Sequence, residues 1–377
     1  MPIPLAFSPT VATVDLTALA HNLLQLRRIL SPGCDVMAVI KANAYGHGAV
    51  ETAQTLIRHG VVRLAVFSIE EGIALRQAGI AVSILILGPV FPQQVEDLFA
   101  HQLTPVVSDP PTLTALGRCA IQYSSPYPIH LKIDTGMGRL GLTLNEVEDI
   151  ITKHTFPSSL HLEGLMSHLA DSDGLDPDST EQQVNRFERA LKVVREAGFS
   201  VPLIHLANSA GIVRFPSAHY SLVRPGIMLY GYHMLPLSVQ PPDLRPVLSL
   251  TTRIAQLRLI QPGETVSYNR TFMARRPTRI AVLPIGYSGG VSRHLSNRGQ
   301  VLIRGRRATI AGIVCMDMVM VNVTEIPDVT VGDEVVLIGQ QGTDRITARD
   351  IAKWTGTISY EVLCAINPQI PRFYRSS

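Results

Sequence analysis

The chain has 377 residues, more than one compact domain usually holds, so about two domains are expected. Charged residues make up 17% and apolar residues 46%, and the formal charge of +3 includes no long run of lysine or arginine, which argues against nucleic acid as the main partner. No uninterrupted apolar stretch approaches the roughly 20 residues of a membrane span, so no membrane partner is expected either.

The amino terminus and the cysteines bear on where the chain resides. The first residues, MPIPLAFSPTVATVDL, lack a basic segment and carry two early prolines, so we expect no signal peptide. The cysteines are far apart and show neither paired metal-ligand spacing nor a disulfide framework. They are Cys34, Cys119, Cys315 and Cys364. The sequence therefore favours a cytoplasmic protein without a metal.

Up to about residue 230, short β-branched runs alternate with amphipathic segments, as in parallel strands joined by helices. Helical patterns include residues 16–30, 68–79 and 179–198. The runs that read as strands are 36–41, 63–67, 83–87, 104–107, 129–133, 162–167, 203–207 and 226–230. Eight repeats over about 230 residues match a barrel of eight βα units. We therefore predict an α/β fold with an N-terminal (β/α)8 TIM-like barrel over residues 1–240.

The pattern changes after the loop PLSVQPPDLRP. Alternating strands are predicted over residues 248–260, 279–285, 300–316 and 332–339, with turn residues between them. The closing segment, TARDIAKWTGTISYEVLCAI, has a helical pattern in its first half. We therefore predict a mostly antiparallel β-strand domain over residues 241–377.

Polar residues follow many of the predicted barrel strands, at the ends where such barrels carry their chemistry. They are Lys41, Tyr45, Lys132, Asp134, Arg139, His168, Asn208, Ser209 and Arg224, the last lying just ahead of the predicted eighth strand. Lys41 lies in an otherwise apolar run, where an isolated ammonium loses more hydration than it regains. From position alone, a functional lysine and a lysine that snorkels at a strand end are equally good interpretations.

The loops after the predicted seventh strand and before the eighth read ANSAGI and RPGI, where barrels of this kind often bind phosphate. Ser209 offers a hydroxyl, and Gly211 and Gly226 permit close backbone approach. Taken singly, each loop is better explained by helix capping or a plain turn. Together with Lys41, they suggest a phosphorylated aldehyde cofactor.

Seven segments then match, in order, the motifs of the alanine racemase family. They are AVIKANAYGHG, KIDTGMGRLG, HLANSAG, RPGIMLYG, VSYNRTF, VCMD and ISYEVLC, from residue 38 to residue 364. Each motif alone is moderately specific, but seven in register are highly specific. The chain therefore resembles this family over nearly its whole length. The resemblance implies a barrel plus a β domain in a head-to-tail homodimer whose active site is shared across the interface.

The resemblance also implies a role for each matching residue. Lys41 would bind pyridoxal 5′-phosphate covalently, and its phosphate would be held by Tyr45, Ser209, Gly226, Ile227 and Tyr360. Arg224 would face the pyridine nitrogen, with His205 behind it, and Arg139 would bind the substrate carboxylate. The residues presented by the partner subunit would be Tyr268, Met316 and Asp317.

Racemisation removes the α-proton on one face of the substrate and returns one on the other, so it calls for two opposed bases. Lys41 and Tyr268 of the partner subunit fit these roles. A phenol, with its pKa near 10, is a poor base at neutral pH, so Tyr268 would need help from His168 and cationic surroundings. Without the motif, Tyr268 reads better as an aromatic interface residue. His168 is assigned to hydrogen bonding at the cofactor, since no second metal ligand lies at suitable spacing.

Two basic residues have competing interpretations. A guanidinium at Arg224 would not protonate the pyridine nitrogen, which weakens the cofactor as an electron sink and should disfavour side reactions. The alternative is a structural arginine tied to carbonyl groups. Lys132 matches a lysine that is carbamylated in the family and would then orient Arg139. An ordinary ion pair with Asp134 explains Lys132 nearly as well.

The chain departs from the family pattern near Tyr268. Asn269 stands where glycine is usual, but asparagine tolerates positive φ, so we expect the turn to survive. The family's GYADG is here Gly286-Tyr287-Ser288-Gly289-Gly290, and Ile313 replaces an arginine that is common before VCMD. These positions border the substrate channel in the family, so the sequence leaves the polarity and gating of that channel open.

The function that the resemblance implies is interconversion of L-alanine and D-alanine, which supplies D-alanine for peptidoglycan. A broader-specificity amino-acid racemase stays open, because Ile313 and the altered loop could widen the pocket. A basic-amino-acid decarboxylase would need an acid at the pyridine nitrogen, so Arg224 speaks against it. A non-catalytic carrier of pyridoxal 5′-phosphate would need neither Tyr268 nor a β domain.

Overall fold

The computed structural model describes residues 7–123, 125–153 and 155–376. Residues 1–6, with which the predicted first domain begins, lie outside this range. The described residues form two compact units. The barrel unit comprises Leu19–Ala44 and Ala49–Arg245. The sheet unit comprises the described residues up to Ala18, the segment Tyr45–Gly48, and the described residues from Pro246 onward.

The first strand, β1 (Val11–Asp15), belongs to the sheet unit, although it lies far from the rest of that unit in sequence. It pairs antiparallel with residues 248–251 and parallel with residues 372–375. The apolar side chains of Ala12 and Val14 are fully buried there. A short strand carries no local signal of its partner, so only the tertiary structure reveals this pairing. The boundary at residues 240 and 241 stays a prediction.

The barrel unit contains eight parallel strands that close on themselves. They are β2 (Asp35–Val39), β3 (Arg63–Val66), β4 (Ser83–Ile86), β5 (Thr104–Val107), β6 (Tyr127–Lys132), β7 (Leu160–Met166), β8 (Leu203–Asn208) and β9 (Leu222–Arg224). Closure comes from β2 and β9, which pair through Asp35 with Leu222 and Val36 with Val223. The predicted barrel is therefore confirmed.

The prediction for the eighth strand was wrong. The strand is β9, whereas Ile227–Tyr230, predicted as a strand, forms a 3₁₀ helix. All four residues of that helix are buried. A short run that is apolar on every side reads alike as a buried strand or a buried helix, so periodicity could not separate the two.

One helix precedes the first barrel strand, and the others connect the barrel strands. They are α1 (Leu16–Arg27), α2 (Lys41–Tyr45), α3 (Ala49–Arg58), α4 (Ile69–Gln77), α5 (Val95–Ala100), α6 (Pro110–Ala120), α7 (Leu144–Thr152), α8 (Asp178–Glu196) and α9 (Ser209–Arg214). The element α2 is a single turn with left-handed backbone angles rather than an ordinary helix. Among the described residues, no helix is both long and apolar enough to span a membrane.

The sheet unit is built on a ten-stranded, mostly antiparallel sheet, which confirms the predicted second fold. Its later strands are β10 (Leu248–Arg253), β11 (Gln256–Ile260), β14 (Thr278–Leu283), β15 (Gln300–Ile303), β16 (Arg306–Ile310), β17 (Val319–Asn322), β18 (Glu334–Gln341), β19 (Asp344–Ile346) and β20 (Arg372–Arg375). A separate small hairpin joins β12 (Thr265–Val266) to β13 (Phe272–Met273).

Two details of the sheet unit differ from the predictions. The strand predicted over 300–316 turns at Arg304 and Gly305, both with positive φ, and its last residues form a loop that carries Met316. The closing segment is helical in both halves, as α10 (Ala348–Thr355) and α11 (Ser359–Cys364). Gly356, in left-handed conformation, separates these two helices.

Candidate active site

Five of the predicted site residues lie at the carboxyl ends of barrel strands. Lys41 follows β2, Lys132 ends β6, His168 follows β7, Ser209 follows β8 and Arg224 ends β9. Because the strands are parallel and the barrel is closed, these ends form a single rim. The barrel therefore gathers residues that are spread over nearly half of the chain.

The backbone directly after Lys41 is strained. Ala42, Asn43, Ala44 and Tyr45 have φ values of 52°, 52°, 53° and 53°. A left-handed conformation costs a residue with a side chain about 1–2 kcal/mol, because Cβ approaches the following carbonyl oxygen. Four in succession persist only if the surroundings hold them, and such strain is typical of functional sites.

Arg224 is buried and makes contacts through both terminal nitrogens. Nη1 donates to the carbonyl of His205 at 2.8 Å, and Nη2 donates to those of Ser167 and Leu206 at 2.6 and 3.1 Å. Nη2 also lies 3.3 Å from Nδ1 of His168. Burial lowers the pKa of Arg224 to about 9, which still leaves a cation at neutral pH. The carbonyl contacts are those expected of a structural arginine, and the imidazole contacts add to them.

A chain of hydrogen bonds leads from Arg224 through the barrel. Nη1 of Arg224 lies 2.9 Å from Nδ1 of His205, which must accept because a guanidinium only donates. Nε2–H of His205 then donates to Nδ1 of His130 at 2.7 Å, and Nε2–H of His130 donates to Glu163 at 3.2 Å. Burial holds the pKa of both histidines below the ordinary value, in keeping with neutral rings.

His168 is surrounded by positive charge. Its pKa lies well below the ordinary value, first because of burial and then because of four cations. These are Arg224, Arg139, Lys132 and Lys41. A neutral His168 that accepts from Arg224 at Nδ1 carries its proton on Nε2. This ring therefore offers an N–H donor at the rim.

Lys132 is buried beside two arginines. Burial, followed by the charges of Arg139 and Arg224, lowers its pKa to about 8, and Asp134 opposes the shift. The carboxylate of Asp134 accepts the backbone N–H groups of residues 136, 137 and 138, at 2.9, 2.9 and 3.0 Å. Asp134 thus shapes the turn that leads to Arg139, which is exposed.

The two predicted phosphate loops meet. Oγ of Ser209 accepts the N–H of Gly226 at 2.9 Å, which joins the end of β8 to the start of the buried 3₁₀ helix that begins at Ile227. Asn208 caps α9 by accepting the N–H of Gly211 at 2.9 Å, so the capping interpretation holds for that residue. A Cβ on Gly211 would lie 2.9 Å from Cδ1 of Leu169, so Gly211 packs closely against that side chain.

In the sheet unit, Tyr45 packs against Tyr360. Their ring centroids are 5.9 Å apart, and Tyr45 is buried. The backbone beside Tyr45 approaches α11 closely, since a Cβ on Gly46 would lie 2.4 Å from the carbonyl oxygen of Leu363. These two predicted phosphate ligands therefore come from one tightly packed region.

The remaining predicted residues lie on three connected loops of the sheet unit, residues 267–270, 286–288 and 313–317, which we call the loop cluster. Ser267 Oγ donates to the carbonyl of Ile313 at 2.6 Å. Ser288 donates through its N–H to the carbonyl of Met316 at 2.9 Å and through Oγ to Asp317 at 2.7 Å. These hydrogen bonds thus connect the loops that carry Tyr268, Met316 and Asp317.

Asn269, which departs from the family pattern, has φ of 57°. This confirms that asparagine adopts the left-handed conformation for which glycine is usual. Tyr268, the residue before it, exposes 66% of its surface, and Met316 exposes 55%. Large side chains that are this exposed suggest that another molecule covers this surface.

Comparison with known proteins identifies the family. Residues 14–234 match the alanine racemase N-terminal domain, and residues 247–374 match the alanine racemase C-terminal domain. The chain belongs to the alanine racemase family. Members of this family are isomerases that depend on pyridoxal 5′-phosphate. An alanine racemase of Halothermothrix orenii is 45% identical over 368 residues, which cover 98% of this chain and 97% of that one.

Solved alanine racemases share the fold. The enzyme of Clostridium difficile 630 is 35% identical, with a TM-score of 0.93 and coverage of 98% of this chain and 97% of that one. An alanine racemase of Bartonella henselae with covalently bound pyridoxal phosphate is 30% identical, with a TM-score of 0.89 and coverage of 98% and 100%.

The rim of this alanine racemase family member fits the cofactor of the family. Pyridoxal 5′-phosphate is an anionic, phosphorylated pyridine aldehyde, and it needs a lysine, cationic surroundings and hydrogen-bond donors. Lys41 would supply the amine, and Arg224 is a buried cation at the same rim. The two loops that the bond between Ser209 and Gly226 joins contain closely packed backbone and the hydroxyl group of Ser209. Among the described residues, no group of three or more side chains suited to a metal ion occurs.

Sequence analysis missed several residues that shape this rim. Gln183, buried on α8, donates to the carbonyl of His168 and to Thr135, at 3.0 and 3.1 Å, and accepts the N–H of Ala170 at 2.8 Å. It joins the loops after β6 and β7. No sequence signal could have found it, because a glutamine in an amphipathic helix reads as a surface residue. Glu71 carried a signal, since Ser68 and Glu71 have the spacing of a capping box.

Proposed function

We propose that this chain interconverts L-alanine and D-alanine with pyridoxal 5′-phosphate bound through Lys41, and that it supplies D-alanine for peptidoglycan. The observation that carries the proposal is the cationic rim around a neutral His168, with Lys41 among its charges. Such a rim suits an anionic cofactor and a substrate carboxylate. Membership of the alanine racemase family supports the choice of substrate.

We propose two bases for the reaction. When bound, pyridoxal 5′-phosphate withdraws electrons from the amino acid and makes its α-hydrogen acidic. Nζ of Lys41 takes or returns the proton on one face of the substrate. The phenol oxygen of Tyr268 of the partner subunit does so on the other. The N–H at Nε2 of His168 is a suitable donor to a tyrosine oxygen that has lost its proton.

Arg224 is proposed to face the pyridine nitrogen as a donor that keeps its proton. The hydrogen-bond chain supports this role, because Arg224 donates to two neutral imidazoles and no carboxylate of the described residues contacts its guanidinium. Ser209, Gly226 and Ile227 are proposed to hold the phosphate. From the family resemblance, Tyr45 and Tyr360 are proposed to add their hydroxyl groups.

We propose that Arg139 binds the substrate carboxylate through its forked guanidinium. Its support is the turn built by Asp134, which ends at an exposed Arg139 beside Lys132. Met316 and Asp317 of the partner subunit are proposed to close the substrate pocket. Hydrogen bonds within the loop cluster join the loop of these two residues to the loop of Tyr268, which supports a shared role.

We propose that the protein is a homodimer with its active site shared across the interface. Exposed large side chains on and beside the loop cluster support this proposal, since patches of this kind mark interfaces. They are Tyr268, Met273, Tyr287, Met316 and Met318. Sedimentation velocity of the wild type tests it, and a monomer that racemises alanine at full rate contradicts it.

We propose a cytoplasmic location. Among the described residues, none of the four cysteines forms a disulfide, and burial raises the pKa of the Cys34 thiol to about 11. Such thiols are stable in a reducing compartment. Fractionation of cells that express the tagged protein tests the location.

The function is tested by measuring D/L conversion with the purified wild type and with Tyr268→Phe. We expect conversion by the wild type and severe loss in the variant. Unchanged conversion in Tyr268→Phe would contradict the two-base assignment. Lys41→Ala should lose the absorbance of covalently bound cofactor, and a retained band would contradict the role of Lys41.

A broader-specificity racemase is the second candidate. Ile313, Ser288 and Gly289 replace residues of different size or charge in the family pattern. A panel of amino acids separates the two candidates. Comparable kcat/KM for serine or valine and for alanine would favour the broader racemase.

A further inference from the structure

Glu71 lies at the start of α4 and contacts the strained turn that follows Lys41. Its Oε1 accepts the backbone N–H of Ala42 at 2.6 Å, and its Oε2 accepts the N–H of Phe67 at 2.7 Å. Oε2 also lies 3.4 Å from the N–H of Ser68, the N-cap of α4. One carboxylate thus joins the end of β2 to the end of β3.

The bond to Ala42 is additional to the contacts that the capping carboxylates of α7 and α10 make. At the start of α7, Glu146 accepts from the N–H and the hydroxyl of its own N-cap, Thr143, both at 2.8 Å. At the start of α10, Asp350 does the same with Thr347, at 2.8 and 2.7 Å. Oε2 of Glu71 completes the capping box of α4, and Oε1 accepts a hydrogen bond from a different segment, the turn after Lys41.

The N–H of Ala42 belongs to the peptide plane that joins Lys41 to Ala42. Fixing that N–H fixes the orientation of the plane, and with it the backbone rotation of Lys41. The lysine side chain is long and flexible, so the direction in which it leaves the backbone decides where its amine can reach. The same peptide begins the left-handed turn. Because the turn is strained, its backbone would relax to another conformation if nothing held it.

We propose that Glu71 is a positioning residue that aims the Lys41 side chain by holding the N–H of Ala42 and the left-handed turn behind it. The proposal rests on the proposed function only for the role of Lys41. Asn43 assists from within the turn, because its Oδ1 accepts the N–H of Ala49 at 2.8 Å. Glu71 contacts neither substrate nor cofactor in this scheme and acts through Lys41 alone.

Glu71→Asp is the variant that separates the two contacts. It shortens the side chain by one methylene, about 1.5 Å, which breaks a 2.6 Å contact to Ala42. Aspartate still completes a capping box, as Asp350 does at α10. Glu146→Asp is the matched control, since it makes the same change at a carboxylate that contacts its own N-cap. Ser68→Ala is the converse control, which weakens the cap of α4 and leaves the bond to Ala42.

Three measurements on the full-length holoenzymes test the proposal. We expect Glu71→Asp to speed amide hydrogen exchange at residues 42–45 and to lower kcat about ten- to hundredfold with a nearly unchanged KM, since a small misplacement of a catalytic group has effects of this size. Glu146→Asp and Ser68→Ala should keep both wild-type exchange at these residues and wild-type kcat. After removal and readdition of pyridoxal 5′-phosphate, Lys41 should form its covalent link more slowly in Glu71→Asp alone, as followed by absorbance.

Unchanged exchange at Ala42 in Glu71→Asp would show that the tether does not hold the turn. Faster exchange with wild-type kcat and a wild-type rate of cofactor attachment would show that the turn does not aim Lys41. Either result overturns the proposal. A wild type that attaches the cofactor but does not racemise alanine contradicts the proposed function instead, and the attachment rate then decides the role of Glu71. If Glu71→Asp does not fold, Glu71→Gln is measured in the same way, because its single acceptor oxygen can bind the N–H of Ala42 or that of Phe67 but not both. Faster exchange at Ala42 with wild-type kcat and a wild-type attachment rate would again overturn the proposal.

Discussion

Nη1 of Arg224 lies 2.9 Å from Nδ1 of His205, and both side chains are buried. Because a guanidinium only donates, this contact fixes the tautomer of His205 and, through it, that of His130. The chain ends at Glu163, which is half-buried and whose pKa is lowered, mainly by the hydrogen bond from His130. The cation at the rim on β9 is thus connected to an acid on β7, two strands away in the barrel.

This relationship predicts different results for two substitutions of His205. His205→Leu leaves a buried donor of Arg224 without its acceptor, so we expect a loss of about 1.5–3 kcal/mol in the free energy of unfolding and a clear fall in kcat. His205→Asn places an oxygen near the position of Nδ1 and should keep most of both. Urea unfolding and steady-state kinetics measure the two variants, and equal losses would contradict the importance of the acceptor.

The buried histidines predict loss of stability in acid. Burial holds the pKa of His130, His168 and His205 below 6.5 in the folded protein. Below about pH 6.5 the unfolded chain therefore binds more protons, and the free energy of unfolding falls as the pH falls, by up to about 1.4 kcal/mol per pH unit for each histidine. Urea unfolding at about pH 7.5 and about pH 5.5 measures this, and His205→Asn should have a shallower slope. Equal stability at both pH values would refute the prediction.

Lys132 is predicted to react with carbon dioxide. With its pKa lowered to about 8, a substantial fraction of the amine is neutral near that pH. A neutral amine adds to carbon dioxide, releases a proton and becomes an anionic carbamate, which would pair with Arg139. We expect a carbamate signal by carbon NMR in labelled bicarbonate, absent from Lys132→Arg. We also expect a several-fold higher KM for alanine in Lys132→Ala, and no carbamate signal in the wild type would sink the prediction.

Gln183 is predicted to stabilise the loop that carries His168. Gln183→Leu removes two donors and one acceptor from a buried position, so we expect a loss of about 2–4 kcal/mol in the free energy of unfolding together with a lower kcat. Gln182→Leu is the matched control, because Gln182 is exposed on the same helix. The outcome that counts against this role is an equal effect of the two substitutions.

Ser288 is predicted to hold Asp317 in this chain, where the family pattern has alanine. Ser288→Ala removes the 2.7 Å hydrogen bond to Asp317. Both side chains are exposed in the single chain, so we expect transition-state stabilisation to fall by at most about 1 kcal/mol, which lowers kcat/KM about fivefold. Ser288→Thr retains a hydroxyl and should restore the wild-type value. Kinetics with L-alanine provide the measurement, and a lasting defect in Ser288→Thr would point to a steric cause.

Much of the fold followed from local pattern. Seven of the eight barrel strands lie where β-branched runs predicted them, because a strand buried in a parallel sheet is apolar on both faces. The eighth failed because Ile227–Tyr230 is buried as a 3₁₀ helix and its composition fits either structure. Strand β1 was missed because its partners, residues 248–251 and 372–375, are more than two hundred residues away in sequence.

The candidate residues themselves were visible from the seven motifs, since reaction chemistry restricts which side chains can serve. The hydrogen bonds of these residues could not be predicted from the motifs. Nothing local indicates that Ser209 accepts from Gly226, or that Gln183 joins the loops after β6 and β7. The capping box of Ser68 and Glu71 has a recognisable spacing, but its contact with Ala42 depends on how β2 lies beside β3.

The sequence by itself determined the barrel, the antiparallel sheet, the family and the identity of Lys41 as the candidate lysine, because these depend on apolar periodicity and on motifs that are continuous in the chain. Tertiary structure alone decided the neutral state of His168 and His205, the lowered pKa of Lys132, and the bond from Glu71 to Ala42. The physical reason is that burial and charge act over distances of a few ångströms in space, whereas the contributing residues are tens to hundreds of positions apart along the chain.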